Sequence, residues 1–119
     1  MFNDASSKTF KKIFIACGRT DLRYGVTGLA TLVKIKFKLD PYDKGTLFLF
    51  CGCRSDRIKG LLWEGDGFLL IYKLLSDGKF KWPRNSDELK SLTIEQYRHL
   101  MDGFTIDKGI NESHPRYIA

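Results

Sequence analysis

Two short cationic stretches hold the residues whose types and spacing most readily suggest chemistry. One is Gly18-Arg19-Thr20-Asp21-Leu22-Arg23-Tyr24-Gly25, a glycine-bounded loop carrying two arginines. The other is Arg54-Ser55-Asp56-Arg57-Ile58-Lys59, and Lys73 adds a cation near the end of a later apolar run. Side chains of this kind can neutralise several phosphates, contacts that give affinity for a polyanion but little base specificity. The plainer account of the same residues is an exposed strand-entry turn in which local pairing of arginine with Asp56 is worth little energy.

Other chemistry has weaker support. Asp40, Asp43, Asp56, Glu64 and Asp66 all lie in or beside expected turns, where a carboxylate is favoured for bonds to nearby backbone, so a catalytic pair is not required to explain them. There is no nucleophile elbow, no GxxxxGK[ST] and no GxGxxG. Cys51-x-Cys53 lacks zinc-knuckle spacing, and neither His99 nor His114 is close in sequence. No metal, no cofactor and no intrinsic catalysis are expected.

The 119 residues, 43% of them hydrophobic, suit one domain with a real core. The organisation expected is a loose arm over 1–9, a domain over 10–105 and a polar tail over 106–119. A net charge of +6 favours polyanionic partners without demanding them. Three cysteines with no signal peptide ahead of them fit free thiols in a reducing cytoplasm. No apolar run reaches membrane length, since Lys73 interrupts the longest.

These cations must be positioned by strands. Thr46 to Trp82 alternates apolar runs with Gly, Asp and Ser clusters, which predicts a β-meander: Thr46–Cys51, about Arg57–Trp63, Phe68–Leu74 and a short fourth strand Lys79–Trp82 stopped by Pro83. An earlier strand is expected within Phe10–Cys17. A helix is expected over Thr27–Phe37 with Thr27 as N-cap, and a second over Ile94–Asp102, where Thr93 and Gln96 form a capping box and Ile94, Tyr97, Leu100 and Met101 an apolar stripe. The class is α+β: an antiparallel β-meander sheet, one helix packed on its core face, and a C-terminal helix.

The turn Glu64-Gly65-Asp66-Gly67 sorts the central hairpin into two faces whichever two-residue loop it adopts. Ile58, Gly60, Leu62, Leu69, Ile71 and Lys73 share one, taken as the core face. Arg57, Lys59, Leu61, Trp63, Phe68, Leu70, Tyr72 and Leu74 share the other. That second face admits three accounts: cover by the C-terminal segment, pairing with another subunit or protein, or a platform on which Trp63, Phe68 and Tyr72 stack bases beside phosphate-binding cations.

The chain resembles the accessory protein encoded by the second open reading frame of insertion-sequence family sixty-six. The resemblance runs from about Lys12 to Pro83, more weakly through Leu92 to Gly103. It is carried by Asp21-Leu22-Arg23 before Gly28-Leu29-Ala30, by Leu39-Asp40-Pro41, by Gly45-Thr46-Leu47-Phe48-Leu49-Phe50, and by Asp56-Arg57-Ile58-Lys59 through Trp63-Glu64-Gly65-Asp66-Gly67. It implies a bacterial mobile-element protein made beside a transposase and needed with it for movement, without a catalytic site of its own. The transposase and DNA are the implied partners, and self-association is open. In the family pattern the positions of Cys53 and Leu74 are usually basic, so the cationic cluster is reduced here. Two other readings stand: a structural or dimerising module without DNA contact, and a small metal-dependent nuclease.

Overall fold

The computed structural model describes residues 10–84, 86 and 88–102, so the expected arm over 1–9 and tail over 106–119 lie outside the described residues. In chain order the elements are β1 (Lys12–Ala16), α1 (Val26–Ile35), β2 (Thr46–Cys51), β3 (Arg57–Trp63), β4 (Phe68–Leu74), β5 (Leu89–Ser91) and α2 (Ile94–Met101). The strands form one sheet in the order β4-β3-β2-β1-β5. The fold is α+β, and the meander β2-β3-β4 is the one that the alternation predicts. β1 pairs parallel with β2 and antiparallel with β5, which makes the whole sheet mixed.

Every residue of β2 is buried, the expected state of a central strand that is apolar on both sides. The pleat sends Leu47, Leu49 and Cys51 to one face, with Ile13, Ile15, Ile58, Leu62 and Ile71. Phe48 and Phe50 go to the other, with Ala16 and Leu61. Between β3 and β4 the register pairs Trp63 with Phe68, leaving Gly65-Asp66 as the two-residue loop. Gly65 takes φ +105° and the Glu64 N–H donates to Gly67 O at 2.9 Å. Only glycine enters that region readily at the first loop position of such a primed turn.

Both faces are core, and their covers are exchanged relative to the expectation. α1 connects two parallel neighbours, so it must cross one face of the sheet. It takes the Leu61 face, where Leu29 and Val33 meet Phe48 and Phe50. The C-terminal segment covers the Ile58 face with Leu92, Tyr97, Leu100 and Met101. Alternation could not assign the covers, because each side of β2 is equally apolar.

The fourth strand expected over Lys79–Trp82 does not form. β4 and β5 are opposite edges of the sheet, so the chain between them crosses the end of the strands instead of running beside one. The Phe80 N–H donates to Ser55 O at 2.7 Å, Gly18 N–H to Pro83 O at 2.9 Å and Cys17 N–H to Glu88 O at 3.0 Å. Phe80 and Trp82 still alternate inward, and both join the Ile58-side core. This strap leads directly into β5, which the sequence reading missed.

The helices shift slightly at their ends. α1 starts after Gly25, so Thr27 lies inside the first turn, and it stops at Ile35 before Lys38 turns left-handed at φ +58°. α2 has its full capping box: Thr93 Oγ1 accepts from Gln96 N–H at 3.1 Å and Gln96 Oε1 from Thr93 N–H at 2.9 Å. Tyr97, Leu100 and Met101 are buried as the stripe predicts, whereas Ile94, in the first turn, is 47% exposed.

Trp82 ties the strap to the sheet by packing and by its indole N–H, which donates to Ala16 O at 2.9 Å. Trp82→Ala is expected to lower the unfolding free energy by about 3–5 kcal/mol, and Trp82→Phe, which keeps most of the bulk, by about 1 kcal/mol. Equilibrium urea unfolding checks the difference; equal losses would mean that packing is not the main contribution.

Candidate nucleic-acid interface

Because β1 and β2 run parallel, the loops that follow them leave the sheet at the same end. The Thr20 N–H donates to Cys51 O at 2.8 Å, joining the first loop to the end of β2. Gly52 packs against the same loop. A Cβ there would stand 3.3 Å from the Leu22 side chain, tighter than the packing readily accepts. β3 begins at this end and β4 finishes at it, so Arg19, Arg23, Arg54, Arg57, Lys59 and Tyr72 are drawn together from four segments.

The strap locks this end through Arg84. Its guanidinium donates to Gly18 O at 2.5 Å, Gly52 O at 2.6 Å and Ser55 Oγ at 2.6 Å. Its Nη2 also lies 3.7 Å from Cys51 Sγ. Charge-assisted bonds of this kind are among the stronger ones in proteins. They hold Ser55 in a left-handed conformation at φ +58°, which a non-glycine residue adopts at a cost. Burial pushes the neighbouring Cys51 thiol up to about 11, so it stays protonated. Arg84 escaped the sequence reading because a cation after Pro83 in a turn-rich stretch has no periodicity to mark it.

The candidate cations play different parts. Lys59 Nζ donates to Leu22 O at 2.6 Å and Tyr24 O at 3.1 Å, and sits 5.8 Å from the centre of the Tyr72 ring. It therefore pins the 18–25 loop over the sheet while keeping a donor in reserve. Arg57 bonds Asp56 at 3.0 Å and holds that carboxyl below its usual range. Arg23 grips Asp21 with Nη2–Oδ2 at 2.7 Å, and this side-chain bond takes the Asp21 carboxyl down to about 2. Arg19 and Arg54 are exposed and make no ion pair among the described residues. Arg23, Arg57, Lys59, Leu70 and Tyr72 line an open cavity of about 500 Å³. Lys79 and Lys81 project from the strap at the same end.

Lys73 lies elsewhere. It pairs with Ile58 and so belongs to the opposite face, where burial lowers its pKa against the attraction of Asp102.

The aromatic residues are divided as well. Trp63 is six residues along β3 from Arg57, about 20 Å at a strand's rise. There it meets Phe68 at 4.9 Å, and Tyr42 caps both, with ring centres at 5.0 and 5.2 Å. Trp63 and Phe68 are consequently half-buried, while Tyr72 is 51% exposed. The three do not form one open stacking surface. Tyr42, read from sequence only as part of a turn, is the residue that changes their exposure.

The carboxylates are engaged locally. Asp40 Oδ1 accepts from the Tyr42 N–H at 2.9 Å. Asp43 accepts from Lys11 Nζ at 2.9 Å and from Thr46 Oγ1 at 2.8 Å. Glu64 and Asp66 project from the exposed hairpin. Among the described residues no group of three His, Cys, Asp or Glu side chains is arranged to hold a metal, and no helix is long and apolar enough to cross a membrane.

Residues 11–110 match the family described as "IS66 Orf2 like protein". The chain is similar to two proteins of Sinorhizobium fredii, both named as uncharacterized. It is 35% identical to y4jC over 92 residues, covering 77% of this chain and 78% of the relative. It is 37% identical to y4hO over 93 residues, covering 77% and 79%. No solved structure matches it.

Two outcomes follow from the loop geometry. Arg84→Met should lower the unfolding free energy by about 2–3 kcal/mol, because it leaves the carbonyls and Ser55 without their donor, and Arg84→Lys should recover only part of that in urea titrations. The Asp21 pair should titrate in acid. With its folded pKa depressed from 3.8 to about 2, its contribution is complete above the unfolded value and is lost as pH falls through about 2. Carboxyl NMR should place the Asp21 midpoint near the lower figure; a midpoint at the ordinary value would mean that Arg23 does not hold it.

Proposed function

The chain belongs to the IS66 Orf2-like family, whose role is that of a transposition accessory, and from that premise we propose that it works by binding DNA through the end of the sheet where β1 and β2 finish. The observation that carries this reading is the cavity lined by Arg23, Arg57, Lys59 and Tyr72, with Arg19 and Arg54 exposed on the two loops that leave the sheet at the same end. Arg19 and Arg54 supply unpaired charge to phosphates. Arg23 and Arg57 can exchange an aspartate for a phosphate, and Tyr72 offers a ring beside them. The protein holds DNA non-catalytically in the bacterial cytoplasm, and the chemistry of strand transfer belongs to the separately encoded transposase.

A second contact, with the transposase, is favoured by a different surface. Ile35 is 65% exposed, Leu39 37% and Tyr42 55%, and the three line one open cavity of about 600 Å³. Apolar side chains clustered in this way suit a protein partner better than a polyanion.

Titration of the purified protein against duplex DNA at several salt concentrations tests the first contact. Affinity should fall with salt, and Arg19→Ala and Arg54→Ala should each flatten the logarithmic slope by about one unit. Lys73→Ala, on the other face, should leave affinity unchanged. Failure to bind at low salt rejects DNA contact. Co-purification with the transposase that is lost in Ile35→Lys would then support the protein contact alone.

A further inference from the structure

The two edges of the sheet are protected very differently. β5 is three residues long, with Lys90 and Ser91 both exposed, the short and charged form that discourages pairing. β4 is seven residues, Phe-Leu-Leu-Ile-Tyr-Lys-Leu, with neither proline nor glycine. Its single charge, Lys73, points to the face opposite Tyr72 and Leu74, which are each 51% exposed. α1 does not extend over these two side chains. A long apolar edge without bulge or charged guard is the kind that accepts another strand.

We propose that β4 is the interface of a two-fold dimer, in which β4 strands from two copies pair antiparallel about Ile71 and join the sheets into one of ten strands. The strand is self-complementary in this register. Leu70 falls opposite Tyr72 of the second copy, Phe68 opposite Leu74, and Leu69 opposite Lys73. Each exposed side chain thereby meets an apolar one on its own face, and the two-fold supplies the contact twice.

Charge favours the same occupant. The Glu64–Gly67 hairpin at one end of β4 carries Glu64 and Asp66, neither of them ion-paired among the described residues, against one nearby cation, Lys44, whose side chain lies beside Gly65. The other end adjoins Arg54, Arg57 and Lys79, against Asp77 and Asp56, the latter paired with Arg57. Their proximity follows from the bonds Leu75 N–H to Asp56 O and Phe80 N–H to Ser55 O, each 2.7 Å. Antiparallel pairing brings the acidic hairpin of each copy beside the basic end of the other. Leu70 and Tyr72 also line the cavity containing Arg23, Arg57 and Lys59, so the two cavities meet across the axis.

Sedimentation velocity on the full chain, from micromolar to submillimolar concentration, tests the interface without reference to DNA. The wild type should sediment at twice the chain mass. Tyr72→Lys and Leu74→Lys, both at exposed positions, should weaken dimerisation about tenfold or more by setting a charge against Leu70 and Phe68 of the second copy, with unchanged circular dichroism. Ile35→Lys, at an exposed apolar position away from β4, should leave the dimer intact. A wild type that remains monomeric throughout the range overturns the proposal. So does a dimer that Ile35→Lys dissociates while Tyr72→Lys and Leu74→Lys do not.

Discussion

The Arg84 guanidinium is the constraint on which the rest of the cationic end depends. It joins the loop after β1, through Gly18, to the loop after β2, through Gly52 and Ser55. Those loops carry Arg19, Arg23, Arg54 and the approach to Arg57, four positive charges that repel one another when brought together. A neutral hydrogen-bond donor would provide fewer and weaker bonds to offset that repulsion. The arrangement therefore uses a fifth cation, turned toward carbonyl oxygens, to position four others that face outward or pair with neighbouring acids.

The strap explains why this clamp exists. A connection from one edge of a five-stranded sheet to the other must travel across about 19 Å of strands at ordinary spacing. Running across the strand ends, it cannot join their ladder, and its backbone groups must find partners in the loops it passes. Ser55, Gly18 and Cys17 provide them. Phe80 and Trp82 bury their side chains beneath the sheet along the same path, so the strap is anchored by core packing on one side and by Arg84 on the other.

Much of the architecture was legible because local rules agree with it. The division of β3 and β4 into two faces follows from the Glu64–Gly67 turn in either register, the α2 start from Thr93 and Gln96, and the central place of β2 from its unbroken apolar run. What was illegible depends on long-range geometry. Lys79 to Trp82 alternates like a strand because two of its side chains are buried, but burial of alternate residues does not require a neighbouring strand. The exchange of covers has the same origin: Leu29 and Val33 could pack against either side of β2, and only the parallel β1–α1–β2 connection decides. At the site, the two arginine stretches were visible as charge, while the division of labour among them was not. Lys59 became a loop pin because Leu22 and Tyr24 present their carbonyls to it, and Trp63 and Phe68 lost exposure to Tyr42, a turn residue with no pattern to identify it.

The distance along the chain between β1 and β5 has a bearing on how the cationic end comes into being during synthesis. Phe14 pairs with Ser91, whereas Lys12 pairs with Thr46 and Trp63 with Phe68. Closing the longest of these loops costs the most chain entropy, so the hairpin and the parallel pair can organise before the strap is available. A ribosome adding residues in order releases Arg19, Arg23, Arg54 and Arg57 well ahead of Arg84. Until that residue arrives, the four charges are attached to loops without their common anchor, and the nascent chain carries the ingredients of a polyanion surface but not its shape.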